Sequence, residues 1–315
     1  MSGLEVSVIV VNWNSRDDLA ACLDSLRVQT ERSFEAIVVD NGSSDGSVEM
    51  VRRDYPEAIL LDTGENLGFA EGCNRGIAVA RGKWLAMLNN DAVAEPTWLE
   101  ELLAAAHRGG HRLGMVQSRI VFLQHPDRTN STGVLMFADS TAYDRGFDAP
   151  VRDDEQDEEV FCASAGAALY RRTMIDQVCL DSGVFDRTFF MYFEDVDLGW
   201  RCRLAGWSAT YAPAAVVRHK FHGSASRHGN DFVALHCQRN RVRMLLKNGS
   251  PWRIVRGVPR TFVDVAWSLR RHGVGTLGAY AKAVADGWRQ RPHVDKIRTE
   301  RRQSVELQWT AKKKA

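Results

Sequence analysis

Asn89, Asn90 and Asp91 follow directly on the apolar run "KWLAML". Three small polar side chains at the end of a strand-like segment cost stability unless their oxygens are needed. An Asp in that position, beside an amide, suits a hard cation shared with phosphate, because Mg²⁺ takes one or two carboxylates and fills its other positions from water and substrate. The same triplet can also form a turn or a helix cap. Asp40 closes a second apolar run, "FEAIVVD". Its carboxylate can accept a hydrogen bond from a pyrimidine imide, or serve only the turn-forming "NGSSDGS" that follows. Trp13, in "VNWN", offers a flat face to a base, and such stacking is worth about 1–3 kcal/mol; the alternative is a core tryptophan.

Two later clusters add chemistry. "FFMYFEDVDLGWR" sets Glu194, Asp195 and Asp197 behind four aromatic residues. A carboxylate in an aromatic-lined cleft is what a general base for a sugar hydroxyl requires, although carboxylates at a helix start also serve as caps. Asp197 and Arg201, four apart, read as a structural pair. "RHKFHGSASRH" carries His219, His222 and His228, with His236 and Cys237 beyond. Their spacing fits no closed zinc site, so the favoured reading is one histidine completing the coordination of a cation at Asp91. The loop "NLGFAEGCNRG" is glycine-rich and opens a helix, where backbone N–H groups can meet a nucleotide or sugar. It is neither a GxGxxG fingerprint nor a Walker A loop, which disfavours dinucleotide and ATP binding.

The elements that must position these residues follow from the pattern. Short apolar runs alternate with helical repeats ("VSVIVVNWN" then "SRDDLAACLDSLRVQ"; "FEAIVVD" then "VEMVRRDY"; "AILLD" then "FAEGCNRGIAVA"). Such alternation predicts βαβ units and a mainly parallel sheet flanked by helices, with ligands beyond the carboxyl ends of the strands. Residues 125–159, ending in the acidic "RDDEQDEEV", read as a solvated loop. Segments 231–248, 252–271 and 276–291 read as helices with arginine-rich faces.

Charge divides the 315-residue chain. Residues 231–315 hold 19 basic and 6 acidic side chains, against 22 and 34 in residues 1–230, although the whole is only +1. A basic amphipathic extension of that kind predicts contact with an anionic membrane surface, or packing on the body or in a homo-oligomer. Nucleic acid is disfavoured by the acidic body and the lack of a recognition motif. The six cysteines form no CxxC pair, which predicts free thiols. The N-terminal run lacks a charged leader and a cleavage site, and no apolar window reaches about 18 residues. A cytoplasmic protein, with peripheral attachment to the inner leaflet, is the expectation.

The stretches "VSVIVVNWNS", "VVDNGSSDGS", "NLGFAEGCNRG", "LNNDA", "GAALYRR", "FDRTFFMYFEDVDLGWR" and a histidine before "GSAS" run in one order across about residues 5–226. Together they resemble the family 2 glycosyltransferases of GT-A fold, especially bacterial rhamnosyltransferase-like members. The resemblance implies a catalytic domain over residues 1–230, and the charge and helical repeat described above set off a basic helical extension over 231–315. It implies inverting transfer of a sugar, with rhamnose the best guess, from a dTDP- or UDP-sugar to a saccharide or lipid-linked acceptor of a cell-surface polysaccharide. Trp13 and Asp40 then belong to the base site, with Asn14, Asn66, Gly68, Phe69, Asn74, Asn90 and Gly166 as further nucleotide-sugar candidates. Asp91 and His219 become ligands of Mg²⁺ or Mn²⁺, and Asp195 the acceptor-activating base with Glu194 beside it. Asn89 departs from the family's DxD pattern and leaves a single carboxylate there. A nucleotidyltransferase, or a carbohydrate-binding scaffold that has lost catalysis, remains the alternative.

Overall fold

The computed structural model describes residues 3–152, 154–221 and 229–311. His222, His228, the "GSAS" before it and the terminal "KKKA" lie outside the described residues. The first half is the expected alternation. Strand β1 (Val6–Asn12) leads to helix α1 (Arg16–Arg27), β2 (Phe34–Asp40) to α2 (Ser47–Asp54), and β3 (Ile59–Asp62) to α3 (Gly68–Val79). After β4 (Trp84–Leu88) come the short β5 (Ala92–Ala94), α4 (Trp98–Arg108) and the long β6 (Leu113–Phe122).

Strands β1 to β4 are parallel, in the order β3-β2-β1-β4. All five residues of β4 are buried, as a strand covered on both faces requires. Register fixes what happens at the rim, because Asn12 of β1 stands opposite Asp40 of β2. Beyond β4 the sheet is mixed. β11 (Ala167–Arg171) runs antiparallel to β4 and β6, and β12 (Ser208–His219) runs parallel to β6. Between these strands lie α5 (Arg172–Val178) and α6 (Glu194–Leu204).

Residues 125–159 are only in part the solvated loop their charge suggested, since the acidic end is largely exposed. They form β7 (Thr129–Ser131), a hairpin of β8 (Val134–Phe137) and β9 (Ala142–Asp144), and the two-residue β10 (Glu158–Glu159). The acidic run is pinned to arginines distant in sequence. Arg119 meets Glu155 at 3.2 Å, Arg108 meets Asp157 at 2.6 Å, Arg203 meets Glu159 at 2.7 Å, and Arg145 pairs with Glu158. Local composition could not reveal those partners.

The basic segment is helical, as its periodicity predicts: α7 (Asn230–Asn248), α8 (Pro251–His272), α9 (Thr276–Ile297) and α10 (Arg302–Trp309). A last strand, β13 (Thr310–Ala311), pairs in parallel with β8 and completes a small sheet with β9. α7 is built into the body. Its Lys247, fully buried, reaches Asp186 at 2.6 Å and Asp197 at 2.9 Å. Asp197 also takes Arg201 at 3.0 Å, the predicted pair, and Asn248 at 2.7 Å. Burial alone would raise the Asp186 carboxyl, but the Lys247 ammonium and Thr188 hold it far below the ordinary range. Lys247→Met removes the cation and leaves two buried carboxylates short of a partner, a loss that typically costs about 3–5 kcal/mol. Urea unfolding should show that drop; an unchanged midpoint would mean the carboxylates are satisfied without the ammonium.

Candidate active site

A cavity of about 600 Å³ opens beyond the carboxyl ends of β1 and β4. Asn90 and Asp91 lie on its wall because the chain turns there from β4 into β5. β5 then pairs antiparallel with the end of β12, setting His219 opposite Ala92. A register shift between Ala212 and Val216 breaks the regular β6–β12 pairing upstream of that point. The outcome is His219 Nε2 at 3.0 Å from Asp91 Oδ1.

The other side of that imidazole is fixed too. His219 Nδ1 lies 2.8 Å from the side-chain oxygen of Asn130 on β7. An amide oxygen only accepts, so Nδ1 carries the proton and Nε2 is aimed at the carboxylate. Asn89 Nδ2 stands 3.2 Å from the same Nε2. The amide at the first DxD position can donate only to an unprotonated, metal-free Nε2. Burial pushes the Asp91 carboxyl up, but the hydrogen bond and charge of His219, with Lys220 further off, bring it below its ordinary value. A proton on Nε2 makes this an ion pair; a divalent cation in its place would have one carboxylate and one imidazole. Among the described residues no group of three or more His, Cys, Asp or Glu side chains could hold a metal ion. The fit is to a cation that draws its remaining ligands from a diphosphate and water.

The second chemical pole is the start of α6. Phe190, Tyr192 and Phe193 all have positive φ, 67°, 68° and 68°. Bulky residues hold such values only where their surroundings impose them. Here one side chain does much of that, since Asn240 of α7 donates to the carbonyls of Phe189 (3.0 Å), Met191 (2.9 Å) and Tyr192 (2.9 Å). The loop so held delivers Glu194 and Asp195 to the cavity.

Their environments differ. Burial raises the Asp195 carboxyl, yet it accepts N–H bonds from Ala165 at 3.1 Å and Val196 at 2.8 Å, which favour the charged form. Glu194 is buried, its Oε2 has no hydrogen-bond partner, and burial together with Asp195 drives its carboxyl well up. Two adjacent acids are thus set apart: Asp195 has N–H donors that favour its charged form, and Glu194 has an oxygen without a partner.

Of the other candidates, Trp13, Asn66, Gly68, Phe69 and Gly166 line the cavity. Gly68, at φ +82°, leaves no room for a Cβ, which would come within 2.5 Å of the Phe190 ring. Asp40, Asn14 and Asn74 do not line it. Asp40 is fully buried and accepts from Asn12 Nδ2 at 2.9 Å and from the Ser43 N–H at 2.7 Å. Asn14 accepts from the Ser44 N–H at 2.7 Å, tying two loops together. Asn74 clamps the backbone of Phe185, donating to its carbonyl at 2.7 Å and accepting from its N–H at 3.0 Å.

Sequence reasoning missed Asn130, which lacks any local signal, and Asp144 of β9. Asp144 lines the cavity, and burial, with Asp195 adding to the rise, pushes its carboxyl up to about 6 against the opposing effects of Ser131 and His219.

Comparison with known proteins gives the family and the fold. Residues 7–179 match the family described as Glycosyl transferase family 2. An N-acetylglucosaminyl-diphospho-decaprenol L-rhamnosyltransferase of Mycobacterium tuberculosis is 30% identical over 294 residues, 84% of this chain and 88% of that protein. The mannosyltransferase PcManGT of Pyrobaculum calidifontis, solved with GDP-Man and Mn²⁺, superposes with a TM-score of 0.56 at 16% identity over 98% of this chain and 88% of that one. GalNAc-T7, solved with UDP, GalNAc and Mn²⁺, gives 0.64 at 14% identity over 83% of this chain and 52% of that one. At those identities the two structures speak for the GT-A fold alone.

Proposed function

The chain belongs to glycosyl transferase family 2, and we propose that it transfers rhamnose from dTDP-rhamnose, with inversion, to a lipid-diphosphate-linked saccharide. The observation that carries the reading is the pairing of two poles in one cavity. Asp91 and His219 form the anion-handling pole, and Asp195 is the base. The named activity of the mycobacterial relative supports the choice of donor sugar and of a lipid-linked N-acetylglucosamine acceptor.

In this reading Trp13 stacks on the base, and Asn66, Gly68 and Phe69 of the glycine-rich segment border the nucleotide sugar. Asp40, fully buried and off the cavity wall, supports this side of the site only through Asn12 and the Ser43 loop. Asp91 and His219 would hold a divalent cation, Mg²⁺ or Mn²⁺, which would supply positive charge to the diphosphate. Asp195 accepts the proton of the acceptor hydroxyl as its oxygen bonds to the anomeric carbon. The bond from that carbon to the diphosphate breaks on the opposite face, and the nucleoside diphosphate leaves with both electrons. Glu194, kept protonated, adds no charge that would repel the donor.

The test pairs dTDP-rhamnose, UDP-sugars and GDP-sugars in turn with a polyprenyl-diphospho-N-acetylglucosamine. The expected result is release of dTDP coupled to a rhamnosylated lipid. Transfer from another sugar nucleotide alone overturns the donor, and transfer only to a lipid-free saccharide overturns the acceptor.

A further inference from the structure

Helix α8 is turned inside out. Its buried face consists of Arg253, Gly257, Asp264 and Ser268, three of them polar. Each polar group is satisfied: Arg253 by Ser140 at 3.1 Å and Thr310, Asp264 by Arg241 at 3.0 Å, Ser268 by Gln238 at 2.8 Å. The opposite face carries Trp252, Val255, Val258, Phe262, Val263 and Trp267, exposed by 59, 59, 43, 72, 62 and 38%. Isolated exposed apolar residues are ordinary, but six on one helix face mark a contact surface.

We propose that this face is a membrane-docking surface, seated in the headgroup layer of an anionic bilayer. Three observations favour a bilayer over a second copy of the chain. The only acid in α8 is the buried Asp264, so the charges that the helix exposes are arginines. Arg256 and Arg270 fall on the apolar face by the helical repeat, whereas Arg260 and Arg271 are paired with Asp264 and Asp231 at 2.8 Å each. Two such faces set against each other in a symmetric dimer would repel, whereas anionic lipid complements them. Trp252, with Arg256 placed 5.9 Å over its ring, has the pairing of aromatic and cation suited to an interface. The helix is about 33 Å long, but no helix among the described residues is long and apolar enough to cross a membrane, so α8 would lie along the surface.

The position also suits a lipid-linked acceptor, a point that rests on the function proposed above. The β8–β9 hairpin touches both places. Arg253 of α8 bonds Ser140 and the Phe137 carbonyl, and Arg241 bonds the Asp139 carbonyl at 2.9 Å. The same hairpin gives Ala142, Tyr143 and Asp144 to the cavity wall. The hairpin packs on the face of α8 turned away from the lipid, so a bilayer on the other face lies about 10 Å, one helix diameter, from that edge of the active site.

Full-length protein should co-sediment with vesicles of phosphatidylglycerol and phosphatidylcholine, weakly with phosphatidylcholine alone, and less as salt rises. Each basic residue at such a surface is worth about fivefold in partitioning. The double variant Trp252→Glu/Phe262→Glu should bind about tenfold less or worse, with an unchanged melting temperature because both side chains are exposed. Its transfer to a water-soluble, short-chain acceptor should match that of the parent. Failure of the parent to bind anionic vesicles at low salt overturns the proposal, as does undiminished binding by the variant. A parent that ignores vesicles and forms a dimer split by Phe262→Glu assigns the face to self-association instead. Vesicle binding without any sugar transfer would refute the function and leave the docking surface standing.

Discussion

Asp195→Asn should slow sugar transfer by about 10²- to 10⁴-fold, the usual effect of removing a positioned general base, while nucleotide affinity stays unchanged. The asparagine is close in size but cannot take a proton from the acceptor hydroxyl. One complication is structural. Both carboxylate oxygens of Asp195 accept backbone N–H bonds, from Ala165 and Val196, and the new NH₂ must face one of them. A melting curve therefore accompanies the rate measurement. The pH profile separates chemistry from packing. Burial holds the Asp195 carboxyl above its ordinary range, and a base works only when deprotonated. The parent's rate should fall as pH drops through that raised value, and the variant's residual rate should lose this acid limb. Glu194→Gln gives the internal control, because glutamine resembles the protonated acid that burial favours there. A dead Glu194→Gln enzyme beside a normal Asp195→Asn enzyme would reverse the two roles.

The contrast between those neighbours marks where sequence stopped being informative. That "FED" brings carboxylates to the cavity was legible; that Asp195 has two N–H donors and Glu194 an unpartnered oxygen depends on the fold of the preceding loop. The parallel core could be read because buried strands are continuous apolar runs and the helices between them keep their repeat. Polar residues at strand ends pointed to the rim, and Asn90, Asp91 and Trp13 are there. Asp40 ended its strand as expected, but the β1–β2 register turned it toward Asn12, and no local pattern carries register. Asn74 sat in a promising loop and proved to clamp Phe185. Asn130 and Asn240, the residues that orient His219 and the aromatic loop, lie 89 and 48–51 positions from what they hold. For α8 the repeat showed which residues share a face and gave no hint which face would be buried. Propensity and periodicity are local quantities, and each of these assignments is a long-range one.

Asp91→Ala should abolish transfer and, with it, the response to divalent cations. The carboxylate is buried in the cavity wall, held below its ordinary pKa with His219 as its main opposing charge. Removing it leaves the β4–β5 turn without a carboxylate, since Asn89 supplies only an amide. His219 alone is a poor partner for Mg²⁺, which prefers oxygen, so loss should be more severe than for His219→Ala. Stability should change little, because the variant also removes a desolvated charge and Asn130 still accepts the Nδ1–H of His219. Dye-monitored melting with dTDP, Mn²⁺ and EDTA reads the binding step without turnover. The parent should gain thermal stability with dTDP and Mn²⁺ together and lose the gain in EDTA, and Asp91→Ala should show no Mn²⁺-dependent gain. Asp91→Asn tells charge from shape, because its oxygen preserves the side-chain outline while the negative charge is gone. If Asp91→Ala retained full transfer in excess EDTA, the diphosphate would have to be neutralised elsewhere, and the Asp91–His219 pair would be only a structural link between β5 and β12.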